Sequence, residues 1–151
     1  MKTFIHSTAI VHDFTTIHSH EVRIWHWTHI CERVKIGYGT SIGQNVYIGP
    51  KVHIGHECKI QNNVYIPEGV TIGDFVFIGP GATFTNVKHP LVHQRGTFEK
   101  TVVLSDASIG ANATILPGIT LGVFCVIGAG SVVTKNVPGH ITVVGNPAVV
   151  I

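Results

Sequence analysis

Residues 24–84 read IWHWTHICERVKIGYGTSIGQNVYIGPKVHIGHECKIQNNVYIPEGVTIGDFVFIGPGATF. An apolar anchor recurs in this stretch at every sixth position, namely at Ile24, Ile30, Ile36, Ile42, Ile48, Ile54, Ile60, Ile66, Ile72, Ile78 and Phe84. A second apolar or small residue stands two positions before each anchor, and we expect both sets to point into a core. A period of six is typical of neither an amphipathic helix nor a hairpin strand, and it predicts an all-β parallel β-helix of short strands.

Three hexads make one triangular coil, so residues eighteen apart are expected to stack and to hydrogen-bond as a parallel ladder. Glycine follows the anchor at six places, which predicts either a positive φ or a close approach of two backbones. These glycines are Gly37, Gly43, Gly49, Gly55, Gly73 and Gly79. We expect neighbouring coils to stabilise one another in a single domain spanning residues 1–151.

The repeat begins irregularly. Ile5, Val11 and Ile17 follow the six-residue step, but seven residues separate Ile17 from Ile24. This extra residue predicts a bulge or a widened corner at residues 18–20.

The repeat also stops after Phe84 and resumes at Val103. Residues 85–101 read TNVKHPLVHQRGTFEKT and contain no inward anchor, so they are predicted to form a loop extruded from the coil. Long loops on such a fold usually mark the binding face, although a tolerated insertion is the alternative. The segment from Gly139 onward is predicted to cap the last coil with an extended strand.

Composition limits the classes of partner. The chain has 151 residues, a formal net charge of +2, 44% hydrophobic and 12% charged residues. So few charges predict that some faces are covered in an oligomer. Nothing in the charge suggests a nucleic acid, and the apolar runs are too short to span a membrane. Residues 1–7 lack a signal-peptide pattern, and Cys31, Cys58 and Cys125 lack metal-ligand spacing, which favours reduced cysteines in a cytoplasmic protein.

Stacking at eighteen residues groups polar side chains into columns. One corner is expected to stack His26, Gln44, Asn62 and Pro80, and its neighbour Trp27, Asn45, Asn63 and Gly81. The adjoining flat face is expected to stack His29, Tyr47, Tyr65 and Thr83. Aromatic rings and amides suit a nucleotide and a sugar, but stacked amides also satisfy one another at turns, and both interpretations stay open.

Four motifs carry a resemblance. RIWHWTHI (23–30), IGQNV (42–46), KIQNNV (59–64) and FTNV (84–87) resemble those of hexapeptide-repeat N-acetyltransferases that act on nucleotide-linked 3-amino sugars in surface-polysaccharide (O-antigen) synthesis. The resemblance implies a left-handed parallel β-helix, and it implies that Asn86 lies beside the sugar amine as the catalytic residue. The expected substrate-binding residues are His26, His29, Gln44, Asn45, Tyr47, Gln61, Asn62, Asn63, Tyr65 and His89. A dTDP-linked 3-amino-3,6-dideoxyhexose is favoured over a UDP-linked 3-amino sugar, because KHPLVHQ after FTNV departs from the uronate pattern.

The second repeat block resembles the coenzyme A segments of the same enzymes, in GANATILPGITLG (110–122) and GAGSVVTKNVP (128–138). Acetyl-CoA is therefore the expected acyl donor. The expected donor-binding residues are Ala111, Pro117, Ala129, Ser131, Lys135 and Pro147. Their small side chains would leave a shallow groove for pantetheine, with Lys135 beside a phosphate. The alternative is that the Gly-Ala pairs are only turn residues.

The eleven histidines suggest an alternative function of another class, that of a metalloenzyme of the γ-carbonic-anhydrase type, and a non-catalytic scaffold is the third candidate function. The former needs an upstream His and a pair spaced five apart, which the candidates do not provide, so no metal is expected. For the acetyl transfer, the resemblance implies that the departing CoA sulfur takes the proton, while His89 or His93 is the alternative base. The expected assembly is a homotrimer with sites between subunits.

Overall fold

The computed structural model describes residues 2–93 and 97–151, and this part of the chain forms 22 strands and no helix. Most strands are two residues long, because an outward residue and the inward anchor after it fill the straight part of each hexad. The strands are β1 (Phe4–Ile5), β2 (Ile10–Val11), β3 (Thr16–Ile17), β4 (Arg23–Ile24), β5 (His29–Ile30), β6 (Lys35–Ile36), β7 (Ser41–Ile42), β8 (Tyr47–Ile48), β9 (His53–Ile54), β10 (Lys59–Ile60), β11 (Tyr65–Ile66), β12 (Val70–Ile72), β13 (Phe77–Ile78), β14 (Thr83–Phe84), β15 (Thr101–Val103), β16 (Ser108–Ile109), β17 (Thr114–Ile115), β18 (Thr120–Leu121), β19 (Val126–Ile127), β20 (Val132–Val133), β21 (Thr142–Gly145) and β22 (Ala148–Val150).

Three parallel sheets form the faces of a solenoid. The first face has the strand order β1-β4-β7-β10-β13-β16-β19-β21-β22, the second face β2-β5-β8-β11-β14-β17-β20, and the third face β18-β15-β12-β9-β6-β3. Lys59 pairs with Ser41 on one side and with Phe77 on the other, so residues eighteen apart stack as predicted. The parallel β-helix expected from the period is therefore confirmed.

The core is a column of anchors inside the three faces. The anchors from Ile24 to Phe84 are buried, and so are those that follow the loop, such as Val103 and Ile115. Hydroxyl residues at inward small positions are paired, as where Thr28 Oγ1 donates to the Gly43 carbonyl at 2.7 Å. Cys58 and Cys125 are free, buried thiols, and burial raises the pKa of each to about 11, which makes them packing residues.

The glycines after the anchors are explained by close approach. A Cβ on Gly37 would lie 2.6 Å from the carbonyl carbon of Gly55 in the next coil, which no side chain tolerates. Positive φ occurs two residues later, at the corner itself, where it is 69° at Gly39 and 55° at Asn45. The corners at which glycine follows the anchor thus have two special positions, and glycine fills the first one because it has no Cβ.

The first coil has the predicted extra residue. Phe4 pairs with Arg23 across nineteen positions, and Thr16 with Lys35 likewise, so the insertion lies between β3 and β4. Within residues 2–93 and 97–151 no further coil lies below this one, and the anchor Ile5 is 43% exposed.

The loop occupies residues 85–100, between β14 and β15. Val103 pairs with Ile72 across 31 positions, so the residues added to the repeat leave the solenoid at this one corner. Thr101 is buried within β15 and belongs to the coil, one residue earlier than predicted. Gln94, Arg95 and Gly96, in the middle of the predicted loop, lie outside the described residues.

The C-terminal segment caps the solenoid as predicted, and it adds an antiparallel hairpin of β21 and β22. The last coil is shorter than the repeat, since Leu121 bridges to Val137 and Ile127 pairs with Val143 across sixteen positions. Stacking at eighteen residues predicts Pro147 above Ala129, and this prediction is wrong, because the observed register places Ala129 level with Gly145. No helix in the described residues is long and apolar enough to cross a membrane.

Candidate functional site

The loop leaves the solenoid beside a groove, here called the Asn86 groove, that encloses about 260 Å³. It lies where the second face meets the third, at what we call the second corner. Its lining residues are Tyr47, Pro50, Tyr65, Pro67, Glu68, Asn86 and Phe98. The Tyr47 and Tyr65 rings stack with their centroids 5.0 Å apart and their planes at 11°, because the two residues pair in adjacent strands. The groove therefore combines a flat aromatic wall with polar groups.

Asn86 has a fixed orientation in this groove. Its side-chain Nδ2 donates to the Glu68 backbone carbonyl at 3.1 Å, and the backbone carbonyl of Asn86 accepts from the Glu99 N–H at 3.2 Å. A carbonyl oxygen only accepts, so the amide nitrogen must face Glu68 and Oδ1 must face away from it. Within the described residues Oδ1 has no hydrogen-bond partner and is available to accept one.

Glu68 lies one coil below Asn86 and is the charged residue in the lining of the groove. Its Oε1 is 2.8 Å from Lys51 Nζ, and its side chain is 27% exposed. The groove thus holds a carboxylate that is already paired with a cation, next to an amide with a free acceptor. A neutral amine is the kind of group that such an acceptor binds.

Tyr47 is held as a neutral phenol. Its Oη lies 3.4 Å from Cys31 Sγ, and this hydrogen bond, together with burial, raises the pKa of Tyr47 to about 12. His29 extends the column, with its ring centroid 5.6 Å from that of Tyr47. Its Nε2 is 2.9 Å from His12 Nε2, so His29 bonds within the first coils. Tyr47 therefore offers ring area and a hydroxyl, and no base near neutral pH.

The predicted amides divide between two places. Gln44, Gln61 and Asn62 line a separate groove of about 340 Å³ with Trp25 and Lys59, on the first face beside its corner with the second. The predicted stack of Gln44 on Asn62 is confirmed by a hydrogen bond from the Gln44 N–H to Asn62 Oδ1 at 2.8 Å. We call this site the first-corner groove.

Two of the predicted substrate-binding amides bond to each other. Asn45 Nδ2 donates to Asn63 Oδ1 at 3.0 Å, in the manner of an amide ladder at a turn. His26 packs on His6 with ring centroids 3.6 Å apart, and its buried Nδ1 has no partner among the described residues. His89 and His93 are exposed on the loop and do not line the Asn86 groove.

The predicted donor-binding residues also divide between corners. Ala111 and Ala129 continue the first corner above Asn62, since Ile60, Ile78, Ile109 and Ile127 are in register. Pro117 and Lys135 lie above Asn86 at the second corner, because Phe84, Ile115 and Val133 are in register. Lys135 is exposed and Pro117 is buried.

Ser131 has a structural partner. It is buried, and its Oγ accepts the Gly145 N–H at 3.0 Å, which ties β21 to the last coil. Pro147 follows a cis peptide bond in the terminal hairpin and is exposed.

Sequence reasoning missed Pro50, Pro67, Glu68 and Phe98. The eighteen-residue rule already placed Pro50 and Glu68 in the column of Asn86, so that signal was present. Phe98 arrives from the returning arm of the loop, where no repeat applies. Among residues 2–93 and 97–151, no three His, Cys, Asp or Glu side chains gather in a way that could hold a metal ion.

Comparisons with known proteins concern the family of the chain. The family model described as bacterial transferase hexapeptide (six repeats) matches residues 39–73 and 51–86, and the hexapeptide repeat of succinyl-transferase matches residues 105–135. A curated relative, dTDP-3-amino-3,6-dideoxy-alpha-D-galactopyranose 3-N-acetyltransferase of Aneurinibacillus thermoaerophilus, is 40% identical over 52 residues, which are 34% of this chain and 27% of that protein.

Two solved structures are similar throughout much of the chain. A point mutant of GDP-perosamine N-acetyltransferase of Caulobacter crescentus, in complex with CoA and GDP-perosamine, has a TM-score of 0.68 at 20% identity and covers 99% of this chain, so it shows the fold alone. This chain spans 56% of that structure. A hexapeptide-repeat-containing acetyltransferase of Vibrio cholerae O1 biovar eltor, in complex with acetyl coenzyme A, has a TM-score of 0.58 at 32% identity. The match covers 75% of this chain and 69% of that structure. The chain therefore belongs to the hexapeptide-repeat transferases.

Proposed function

We propose that this chain is an acetyl-CoA-dependent N-acetyltransferase whose acceptor is the 3-amino group of a nucleotide-linked sugar, with a dTDP-3-amino-3,6-dideoxyhexose as the favoured substrate. The observation that carries the proposal is the Asn86 groove, which Asn86 lines together with Tyr47 and Tyr65, and in which the bond to the Glu68 carbonyl fixes the orientation of the Asn86 amide. The curated relative supports the dTDP-linked acceptor, and a UDP-linked 3-amino sugar remains the alternative.

The reaction needs an unprotonated amine held against a thioester. Asn86 Oδ1 accepts a hydrogen bond from the amine, so that the nitrogen lone pair points at the thioester carbon. The C–N bond forms as the C–S bond breaks, and the departing CoA sulfur takes the proton that the nitrogen loses. Holding both reactants in one groove supplies several kcal/mol of the rate enhancement through proximity.

The donor lies along residues that stack above the acceptor site. Pro117 and Lys135 are in the column of Asn86, and Lys135 is exposed for a phosphate of acetyl-CoA. Ala111 and Ala129 lie at the other corner of the same face and would meet a donor held by a neighbouring subunit. We therefore propose a homotrimer with sites between subunits, acting in the cytoplasm in surface-polysaccharide (O-antigen) synthesis.

A direct assay tests this proposal. CoA thiol release from acetyl-CoA is measured against dTDP- and UDP-linked 3-amino sugars, with the corresponding 3-hydroxy sugars as matched controls. We expect release only with the amines, and at the highest kcat/KM with a dTDP-linked one. Equal release with amine and hydroxyl acceptors, or none with any nucleotide sugar, would contradict an amino-sugar N-acetyltransferase.

A further inference from the structure

A larger groove, of about 510 Å³, lies on the third-face side of the Asn86 groove. We call it the lysine groove. Its polar lining includes Lys51, Lys100, His53, Thr71 and Thr97, and Phe98 forms part of its apolar wall. It is large enough for part of a nucleotide or of coenzyme A.

Cations dominate the charge of this groove. Lys51 pairs with Glu68 at 2.8 Å, whereas Lys100 has no hydrogen-bond or ion-pair partner within the described part of the chain. The one carboxylate is thus already paired, and a second ammonium group remains. The hydroxyl groups of Thr71 and Thr97, which also line the groove, are further hydrogen-bond donors. Two ammonium groups and two hydroxyls around a half-open groove suit a doubly charged phosphate group.

The lysine groove and the Asn86 groove are adjacent and share two walls, Glu68 and Phe98. Backbone bonds hold the returning arm of the loop between them: the Glu99 N–H donates to the Asn86 carbonyl, and the Thr101 N–H donates to the Gly69 carbonyl. A ligand seated at Asn86 can therefore extend past Phe98 toward Lys51 and Lys100.

We infer that the lysine groove binds a diphosphate ester. The inference rests on the proposed function, in which two ligands carry this group, namely the nucleotide sugar and coenzyme A. Lys51 and Lys100 contact the phosphate oxygens, and Phe98 packs against the part of the ligand that joins the two grooves. Diphosphate binding competes with Glu68 for Lys51, so part of the affinity depends on Lys100.

The test is calorimetric titration of the full chain with dTDP and with CoA. Thymidine and pantetheine, which lack the diphosphate, are the matched ligands. The variants are Lys51→Gln, Lys100→Gln and the double variant, and Lys2→Gln in the first coil is the matched control. We expect each single variant to weaken binding of the diphosphate ligand by about three- to tenfold, and the double variant by more than tenfold. Affinity for thymidine and pantetheine should be unchanged.

The titrations with dTDP and with CoA show which of the two ligands supplies the diphosphate. If the lysine variants lose affinity only for dTDP, the groove binds the diphosphate of the acceptor. If they lose affinity only for CoA, and to the same extent for dephospho-CoA, the groove binds the diphosphate of the donor. Unchanged affinity for both ligands in Lys100→Glu, at an unchanged melting temperature, would refute the inference. Thiol release by the unmodified protein is measured in parallel. If the unmodified protein is inactive but its lysine variants bind dTDP more weakly, only the proposed function is refuted. If the unmodified protein is active but its lysine variants bind dTDP and CoA with unchanged affinity, only the diphosphate site in the lysine groove is refuted.

Discussion

Replacing Asn86 with alanine tests whether the Asn86 amide orients the substrate amine or only stabilises the fold. The Asn86 side chain has two polar groups: Nδ2, which donates to the Glu68 carbonyl, and Oδ1, which has no partner among the described residues, and Asn86 lines the groove. Asn86→Ala removes both, while Thr85→Val is the matched control. Thr85 directly precedes Asn86, and its Oγ1 donates to the Ile115 carbonyl at 3.2 Å. Thr85→Val therefore loses a similar hydrogen bond without changing a residue that lines the groove.

The magnitude follows from these bonds. Losing the bond to Glu68 costs about 0.5 to 1.5 kcal/mol of folding free energy, and Thr85→Val should cost about the same. Only Asn86→Ala also loses the contact with the amine, so kcat should fall by about 10- to 10³-fold, equivalent to about 1.4 to 4.1 kcal/mol of transition-state stabilisation. Acetyl-CoA affinity should hardly change, because the proposed donor site lies above this residue in the column.

The assay is CoA thiol release with a dTDP-linked amino sugar, from pH 6 to 9. Asn86→Ala should keep the pH profile of the unmodified protein, since an amide does not titrate and the substrate amine governs the profile. His89→Asn and His93→Asn should keep both the rate and the profile. A histidine variant that is more damaged than Asn86→Ala, and whose pH dependence is lost, would make a loop imidazole the base and refute this reasoning.

Three further predictions concern the donor, the core and the assembly. Lys135→Ala should raise the KM for acetyl-CoA less than tenfold at constant kcat, because an exposed pair contributes about 1 kcal/mol at most, and an unchanged KM would mean that Lys135 is only a surface residue. Ile60→Asp should abolish folding by burying a carboxylate without a partner, while Lys59→Asp on the outer side of the same strand should melt cooperatively; a soluble, cooperative Ile60→Asp would refute the inward assignment. Analytical ultracentrifugation should find a trimer, and a stable, active monomer would contradict sites between subunits.

The period of six was enough to predict the solenoid, its stacking and both irregularities at the start of the repeat and at the loop. It works because each hexad has one inward anchor, and a slip by one residue would bury outward residues such as Lys59. The rule failed where the chain leaves the core. Between Val133 and Val137 the inward step is four residues, and Pro147 consequently lost its predicted place above Ala129.

The Asn86 groove was predictable only in part. Asn86, Tyr47 and Tyr65 belong to the repeat, so stacking brought them to one corner or one face. Phe98 belongs to a loop arm whose path depends on backbone bonds to Asn86 and Gly69, and no local pattern encodes such contacts. The division of the amides follows from the repeat, because Asn62 and Asn86 each stand two residues after an anchor but in different hexads of a coil, and therefore at different corners.

That division has a consequence for the chemistry. The column of Asn86 continues upward into Pro117 and Lys135, whereas the column of Asn62 continues into Ala111 and Ala129, and the second face separates the two. On the proposed function, each corner of one chain would hold part of an acceptor site and part of a donor site. In the proposed homotrimer, a groove between two copies would bring the second corner of one subunit to the first corner of the next, so that a single trench would contain all four sets of residues. The repeat would thereby build two half-sites on each chain, and the oligomer that would join them is the one that the low charged fraction of the sequence predicts.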